Sequence, residues 1–261
     1  MIRRILAIIW LSTILAVAAA APLLTVYDPV QPAGGALESP SAIHPLGTDN
    51  LGRDVFSRLV YGSRMSLVMA GMAGAIAVVF GSLLGSWSAV SRRQIDAMLT
   101  WSGNVLLSIP GLLLAMLFVA SLGTGALTVT LAVGISAVPG YMRVARTLMK
   151  QIRQEEYILA AEAIGASSLR IAWRHIIPNA RPRLQVLATT QLAWSFVNTT
   201  TLSFLGFAGD PSTPEWGAML NTGRGFLLQA PHLALIPGLA ISLTILALHA
   251  LGTTSRSHTT I

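Results

Sequence analysis

The chain has 261 residues, of which 53% are hydrophobic and 10% charged, and its mean hydropathy is +0.67. Soluble domains carry about 25% charged residues, so this composition cannot dress a water-facing surface; it excludes ordinary soluble enzymes, nucleic-acid-binding domains and disordered chains. An all-α polytopic membrane protein remains, in which the net charge of +7 is an orientation signal, and the lack of cysteine removes disulfides, thiol catalysis and Cys-based metal sites.

A helix needs about 20 apolar residues to cross the hydrocarbon layer. Stretches without Asp, Glu, Lys or Arg run over 5–27, 65–91, 97–142, 184–209 and 225–255. The third is too long for one helix and divides at Gly123-Thr124-Gly125, a turn signal. Six spans are therefore expected, near 5–24, 66–90, 99–121, 126–142, 185–206 and 233–252. With the N-terminus inside, thirteen cations and four acids fall on the inner side, against four cations and six acids outside. That bias predicts an N-in, C-in topology in the bilayer. The first span has a rival reading, since Arg3-Arg4, an apolar run and Ala18-Ala19-Ala20-Ala21-Pro22 also fit a cleaved signal peptide.

Residues 25–64 follow as an outer segment. Four prolines and Gly34-Gly35 predict an extended linker over 25–47. Gly47-Thr48-Asp49-x-x-Gly52-Arg53-Asp54 then leads into an amphipathic helix. Thr48 or Asp49 is the expected cap, Asp54 and Arg58 an i,i+4 pair, and Gly62 the expected end. A membrane-surface helix is favoured here over a ligand site; the Gly-x-x-Gly lacks the remainder of a phosphate-binding loop. In span two, Ala77-x-x-x-Gly81-x-x-x-Gly85 sets small residues four apart, which permits close helix packing. In span three, Pro110-Gly111 interrupts the helix. Asn104 and Ser108, one turn apart, are candidates for a substrate path, although a packing kink explains the proline equally well.

The spans carry almost no ionisable group, which argues against ion-coupled transport and intramembrane catalysis alike. The charged inner segment 143–183 is more informative. Residues 154–164 form a good helix, Gly165 ends it, Ser167 or Ser168 caps a second helix to about residue 177, and Pro178 is expected to stop regular structure. A smooth helical hairpin flanked by basic residues suits docking into a groove of another protein. The outer loop 207–224 holds Asp210, Glu215, Trp216 and Arg224, read either as a gate or as a re-entrant cover.

Ala160-Ala161-x-x-x-Gly165 followed by Arg174-His175-Ile176-Ile177-Pro178-Asn179 resembles the EAA loop of ABC-importer permeases. Four further stretches are similar to the dipeptide/oligopeptide/nickel branch: His44-Pro45-Leu46-Gly47-Thr48-Asp49-x-x-Gly52-Arg53-Asp54-Val55, Tyr61-Gly62-x-Arg64-x-Ser66-Leu67, Leu202-Ser203-Phe204-Leu205-Gly206, and Pro214-x-Trp216-Gly217-Ala218-Met219-Leu220. The Gly-Thr-Asp-x-x-Gly-Arg-Asp stretch points to the C-type subunit. Two departures stand out: Leu159 occupies the position of the acid that names the EAA loop, and Asn198-Thr199-Thr200-Thr201 replaces an acid before Leu-Ser-Phe-Leu-Gly.

The resemblance implies a type I importer permease fold in a bacterial inner membrane. A five-helix core over 65–252 would follow the first helix (1–24) and the outer segment, with the coupling loop at about 150–182 and a cytoplasmic tail at 253–261. It implies a homologous B-type permease partner, two ATPase subunits and an extracytoplasmic solute-binding protein, with no nucleic acid involved. ATP and Mg would be bound by the ATPases, and this chain would hold no cofactor, metal or catalytic residue. Ala160, Ala161, Glu162 and Gly165 would carry the coupling, with Ser167, His175 and Pro178 fixing its shape. Short peptides are the expected cargo. The alternative is an ion-gradient-driven carrier of a small solute.

Overall fold

The computed structural model describes residues 2–254; the end of the expected tail, with Arg256, lies outside the described residues. Every regular element among the described residues is a helix, apart from one isolated bridge between Thr48 and Asp54, and they contain no strand. The helices are α1 (Ile2–Ala19), α2 (Ala21–Leu24), α3 (Val55–Val90), α4 (Arg93–Leu107), α5 (Gly111–Leu122), α6 (Ala126–Arg153), α7 (Glu156–Ala163), α8 (Ser168–Ile171), α9 (Ile177–Phe204), α10 (Trp216–Arg224) and α11 (His232–Thr254).

Helix α3 is the central post. It packs along α6 and α9, and the small-residue stripe makes this possible: a Cβ added at Gly85 would lie 2.8 Å from the Met142 carbonyl oxygen and 2.9 Å from Ala145 Cβ. With no side chain there, the helix backbones approach closely and gain dispersion contacts that larger residues would block. Gly62 does not end a helix. It lies mid-helix, buried, where a Cβ would meet the Trp216 ring at 3.0 Å. The expected surface helix and span two are therefore one 36-residue helix.

Among the described residues, four helices are long and apolar enough to cross a membrane: Ile2–Ala19, Val55–Val90, Ala126–Arg153 and His232–Gly252. The expected third span is broken rather than kinked. Helices α4 and α5 meet at 87° across residues 108–110, and counting them as one span gives five. Pro110 cannot continue the α4 ladder and instead serves as the N-cap residue of α5. The expected fifth span falls in α9, which is long enough at 28 residues, but Thr189, Thr190, Gln191, Ser195 and 198–201 leave it short of the apolarity of the others, and it does not count among the candidate spans. The structure thus supports four or five of the six expected spans.

The stretch 25–47 is not an open linker. Gly47 and Gly52 adopt positive φ (75° and 72°), and these turns fold the chain back on itself. Backbone bonds run from Ala33 N–H to Gly52 O (2.8 Å), Leu37 N–H to Asp49 O (3.0 Å) and Thr48 N–H to Glu38 O (3.1 Å). Nor does Pro178 stop regular structure. A π turn over 172–176, with Ile177 N–H donating to Ala172 O, joins α8 to α9. The wider turn leaves Pro178 in the first turn of α9, where its missing N–H costs nothing.

Candidate functional site

On the inner side, the two short helices α7 and α8 form the expected hairpin. Gly165 sits between them at φ +89° with nothing within 4 Å of the position a Cβ would take. Backbone strain, not crowding, makes this a glycine position. Ser167 caps α8: its hydroxyl accepts from Arg170 N–H and its carbonyl from Ile171 N–H. His175 lies in the π turn, and its carbonyl accepts from the Asn179 side-chain amide at 2.7 Å. Three isoleucines pin the hairpin. Ile158, Ile171 and Ile176 are almost fully buried against Ala89, Leu148, Met149 and Ile152 at the ends of α3 and α6. The opposite face is bare: Ala160 and Gly165 are exposed, Ala161 half-buried, and Leu159, Ile164 and Trp173 exposed at 52%, 87% and 66%. Glu162 lies on α7 within this run.

Beside the hairpin, Asp96 at the start of α4 ties three helices together. Arg146 of α6 grips both carboxylate oxygens (2.6 and 2.7 Å), Lys150 joins it, and Ser88 of α3 donates at 2.6 Å. The hydrogen bonds from Arg146 hold the Asp96 carboxyl well below the usual carboxylate range. The sequence offered one signal for this clamp, a single acid just after Arg92 and Arg93 at the entry to the third span.

On the outer side, the polar face expected to meet water is buried. Arg53, Asp54, Ser57 and Arg58 are each 3% exposed or less. Asp54, rather than Thr48 or Asp49, caps α3 by accepting from Ser57 N–H at 2.8 Å, and its other oxygen meets His44 Nδ1 at 2.9 Å. The expected Asp54–Arg58 pair is absent because both partners are taken. Asp49 accepts from Arg53 Nε at 2.7 Å and lies 3.5 Å from Arg58 Nε. Thr48 bridges Gly35 O and Glu38 N–H. Arg58 donates to the carbonyls of Pro29, Pro211 and Ser212 at 2.9–3.1 Å. One guanidinium thus fastens the folded-back segment to the outer loop.

The outer-loop residues divide into two groups. Asp210 is exposed and accepts from Ser212, and Arg224 stacks 5.0 Å over the Phe204 ring. Glu215 and Trp216 are buried. Glu215 caps α10 through Ala218 N–H and accepts from Ser66 Oγ, both at 2.8 Å, while burial pushes its pKa up. Trp216 donates to Leu59 O at 2.8 Å and packs edge-on to Phe196. This pair anchors the loop on α3, a role that fits a re-entrant cover.

The break between α4 and α5 opens a groove of about 400 Å³ against α6 and α9, lined by Pro110, Gly111, Ser136, Tyr141, Gln191 and Trp194 among others. Asn104 and Ser108 sit on the rim helix and do not line it. Asn104 accepts from Arg143 at 2.6 Å, and the Ser108 hydroxyl turns back to Val105 O. The sequence reading missed Gln191 and Trp194, whose signal was a run of polar residues inside an otherwise apolar stretch.

The chain matches the family described as the binding-protein-dependent transport system inner membrane component over residues 55–255. The glutathione transport system permease protein GsiD of Pectobacterium atrosepticum is 38% identical over 215 residues, 82% of this chain and 71% of that protein. Its Escherichia coli counterpart is 40% identical over 217 residues, 82% and 70% respectively. An inward-facing MetNI methionine ABC transporter structure aligns with 78% of this chain and 97% of its own, with a TM-score of 0.60 and 21% identity, a likeness of fold. The family match and these relatives establish that the chain belongs to the inner-membrane permeases of ABC importers, in their peptide and nickel branch, and is the permease subunit of such an importer.

Proposed function

We propose that the chain is the C-type half of a two-permease translocation path for short peptides or peptide-like solutes in a bacterial cytoplasmic membrane. The observation that carries this reading is the hairpin, held rigidly from behind by buried isoleucines and bare in front. Such a knob transmits force without deforming, because close-packed interiors are stiff. It would sit in a groove on one of two ATPase subunits. ATP-driven closure of those subunits would pull the hairpins of this chain and its B-type partner together and rock the spans between inward and outward states. A solute-binding protein would deliver the cargo from outside. ATP and Mg would act on the ATPases, with this chain serving as path and lever.

In this reading α9 completes the six spans, and its Thr190 and Gln191 face the path rather than lipid. The groove at the α4–α5 break then supplies amide and hydroxyl groups (Gln191, Thr190, Ser136) beside the Trp194 ring. Uncharged donors and acceptors suit a peptide backbone and let a zwitterion pass without trapping it. The glutathione relatives support a tripeptide-sized cargo.

The test is purification of the tagged chain from its native membranes, followed by identification of its companions and of the ligand carried by the binding protein. A second permease, ATPases and a binding protein loaded with a short peptide or glutathione are expected. Recovery of the chain alone after mild crosslinking, or uptake that collapses with the ion gradient while ATP is present, overturns the proposal.

A further inference from the structure

Helix α1 stands at the edge of the bundle, with only Ala7, Ile14 and Ala18 buried. It leans on α11, where Trp10 Nε1 donates to Thr244 Oγ1 at 3.2 Å. Between the two helices lies a second groove of about 700 Å³, separate from the one at the α4–α5 break. Its walls are apolar along Leu6, Ile9, Leu243 and Leu246, and Arg3 and His249 line it near the start of α1 and the end of α11. Lining runs from Arg3 to Thr13, ten helical rises or about 15 Å. That is half of the ~30 Å hydrocarbon thickness, one leaflet's depth.

We infer that this groove holds one anionic phospholipid of the leaflet that meets Arg3. Its acyl chain would lie along the leucines, and its phosphate would meet the guanidinium, whose planar donors match phosphate oxygens in pairs. Two features favour a lipid. Both walls belong to helices apolar enough to cross the membrane, so the groove opens onto acyl chains, and the cation stands at the end of the apolar strip, where a headgroup would lie. Basic pockets between membrane helices recognise anionic headgroups in this way.

The test is native mass spectrometry of the full chain in micelles, titrated with phosphatidylglycerol or with phosphatidylcholine of identical chains. One phosphatidylglycerol should be retained about fivefold more tightly than phosphatidylcholine, corresponding to the ~1 kcal/mol contributed by one basic side chain near a bilayer surface. Arg3→Gln should abolish that preference, while Arg4→Gln, which removes the same charge one residue outside the groove, should keep it. Equal retention of the two lipids by the unmodified chain overturns the inference without any variant. So does a preference that survives Arg3→Gln, or one lost equally in Arg4→Gln, the result expected of charge at large or of a partner helix filling the groove.

Discussion

The inner hairpin and the outer staple are built on opposite plans. The staple spends its charges inside: Asp49, Arg53, Asp54 and Arg58 are buried and paired, and Arg58 alone ties three distant carbonyls. The hairpin is held by apolar contacts behind and leaves bare aliphatic and aromatic surface in front. A buried ionic network is intolerant of a missing partner, since the remaining charge stays desolvated. An apolar anchor tolerates gradual change and leaves its outer face free for another protein. The first plan suits a fixed element and the second a moving part that must be gripped.

Breaking the staple should have the largest effect. Arg58→Met leaves three carbonyl oxygens without their donor and removes one of the two cations beside Asp49, and should cost about 3–5 kcal/mol, read as a loss of melting temperature in detergent and of membrane-inserted yield. A drop below about 1 kcal/mol would mean that the network is ornamental. On the hairpin, Ile158→Ala removes a fully buried side chain from the anchor and should cost about 2–5 kcal/mol. That loss should register as faster hydrogen exchange confined to 156–176, with the staple unchanged. Gly165→Asp sharpens the contrast further. Its Cβ meets nothing, so the cost is the positive-φ strain of about 1–2 kcal/mol. The chain should remain inserted and folded, yet fail to retain an ATPase and lose transport at least tenfold. Normal ATPase co-purification with normal uptake would defeat the coupling assignment.

The hairpin was the more legible of the two regions because its signals are local: helix formers, a glycine, a cap. Pro178 misled only because a π turn absorbs it, and the backbone supplies that turn without advertising it in residue type. The staple was misread for the converse reason. Apolar residues on one helical face over 51–60 (Leu51, Val55, Phe56, Leu59, Val60) fit a helix on a membrane surface, and nothing local reveals that the chain from 29 to 48 returns to cover the polar side. Pro29 and Pro211 reach Arg58 through carbonyls, which every residue possesses. The break at Pro110 was visible, but its 87° bend and the groove it opens depend on where α6 and α9 lie. The polar run in α9 lowered its apolarity as a span for the same reason that places Thr190 and Gln191 on that groove.

The smallest expected effect concerns pH, and it bears on the staple's neighbour. Glu215 is buried at the start of α10, and burial raises its pKa above the unfolded value despite hydrogen bonds from Ala218 N–H and Ser66 Oγ. The folded state therefore holds a proton that the unfolded state has already released. Protons bound preferentially by the native state mean that stability falls as pH rises through that interval. The contribution is full below the unfolded carboxyl pKa, near 4.5, and is lost as pH climbs through the raised folded value. Glu215→Gln keeps an acceptor for Ser66 and for Ala218 N–H while removing the titration. Its melting temperature should change little at the acidic end and exceed that of the parent as pH rises, flattening the profile. A parent profile that rises over the same interval, or a Gln variant with the parent's slope, would show that Glu215 is held ionised by its donors, and that the outer loop rests on a buried charge as the staple does.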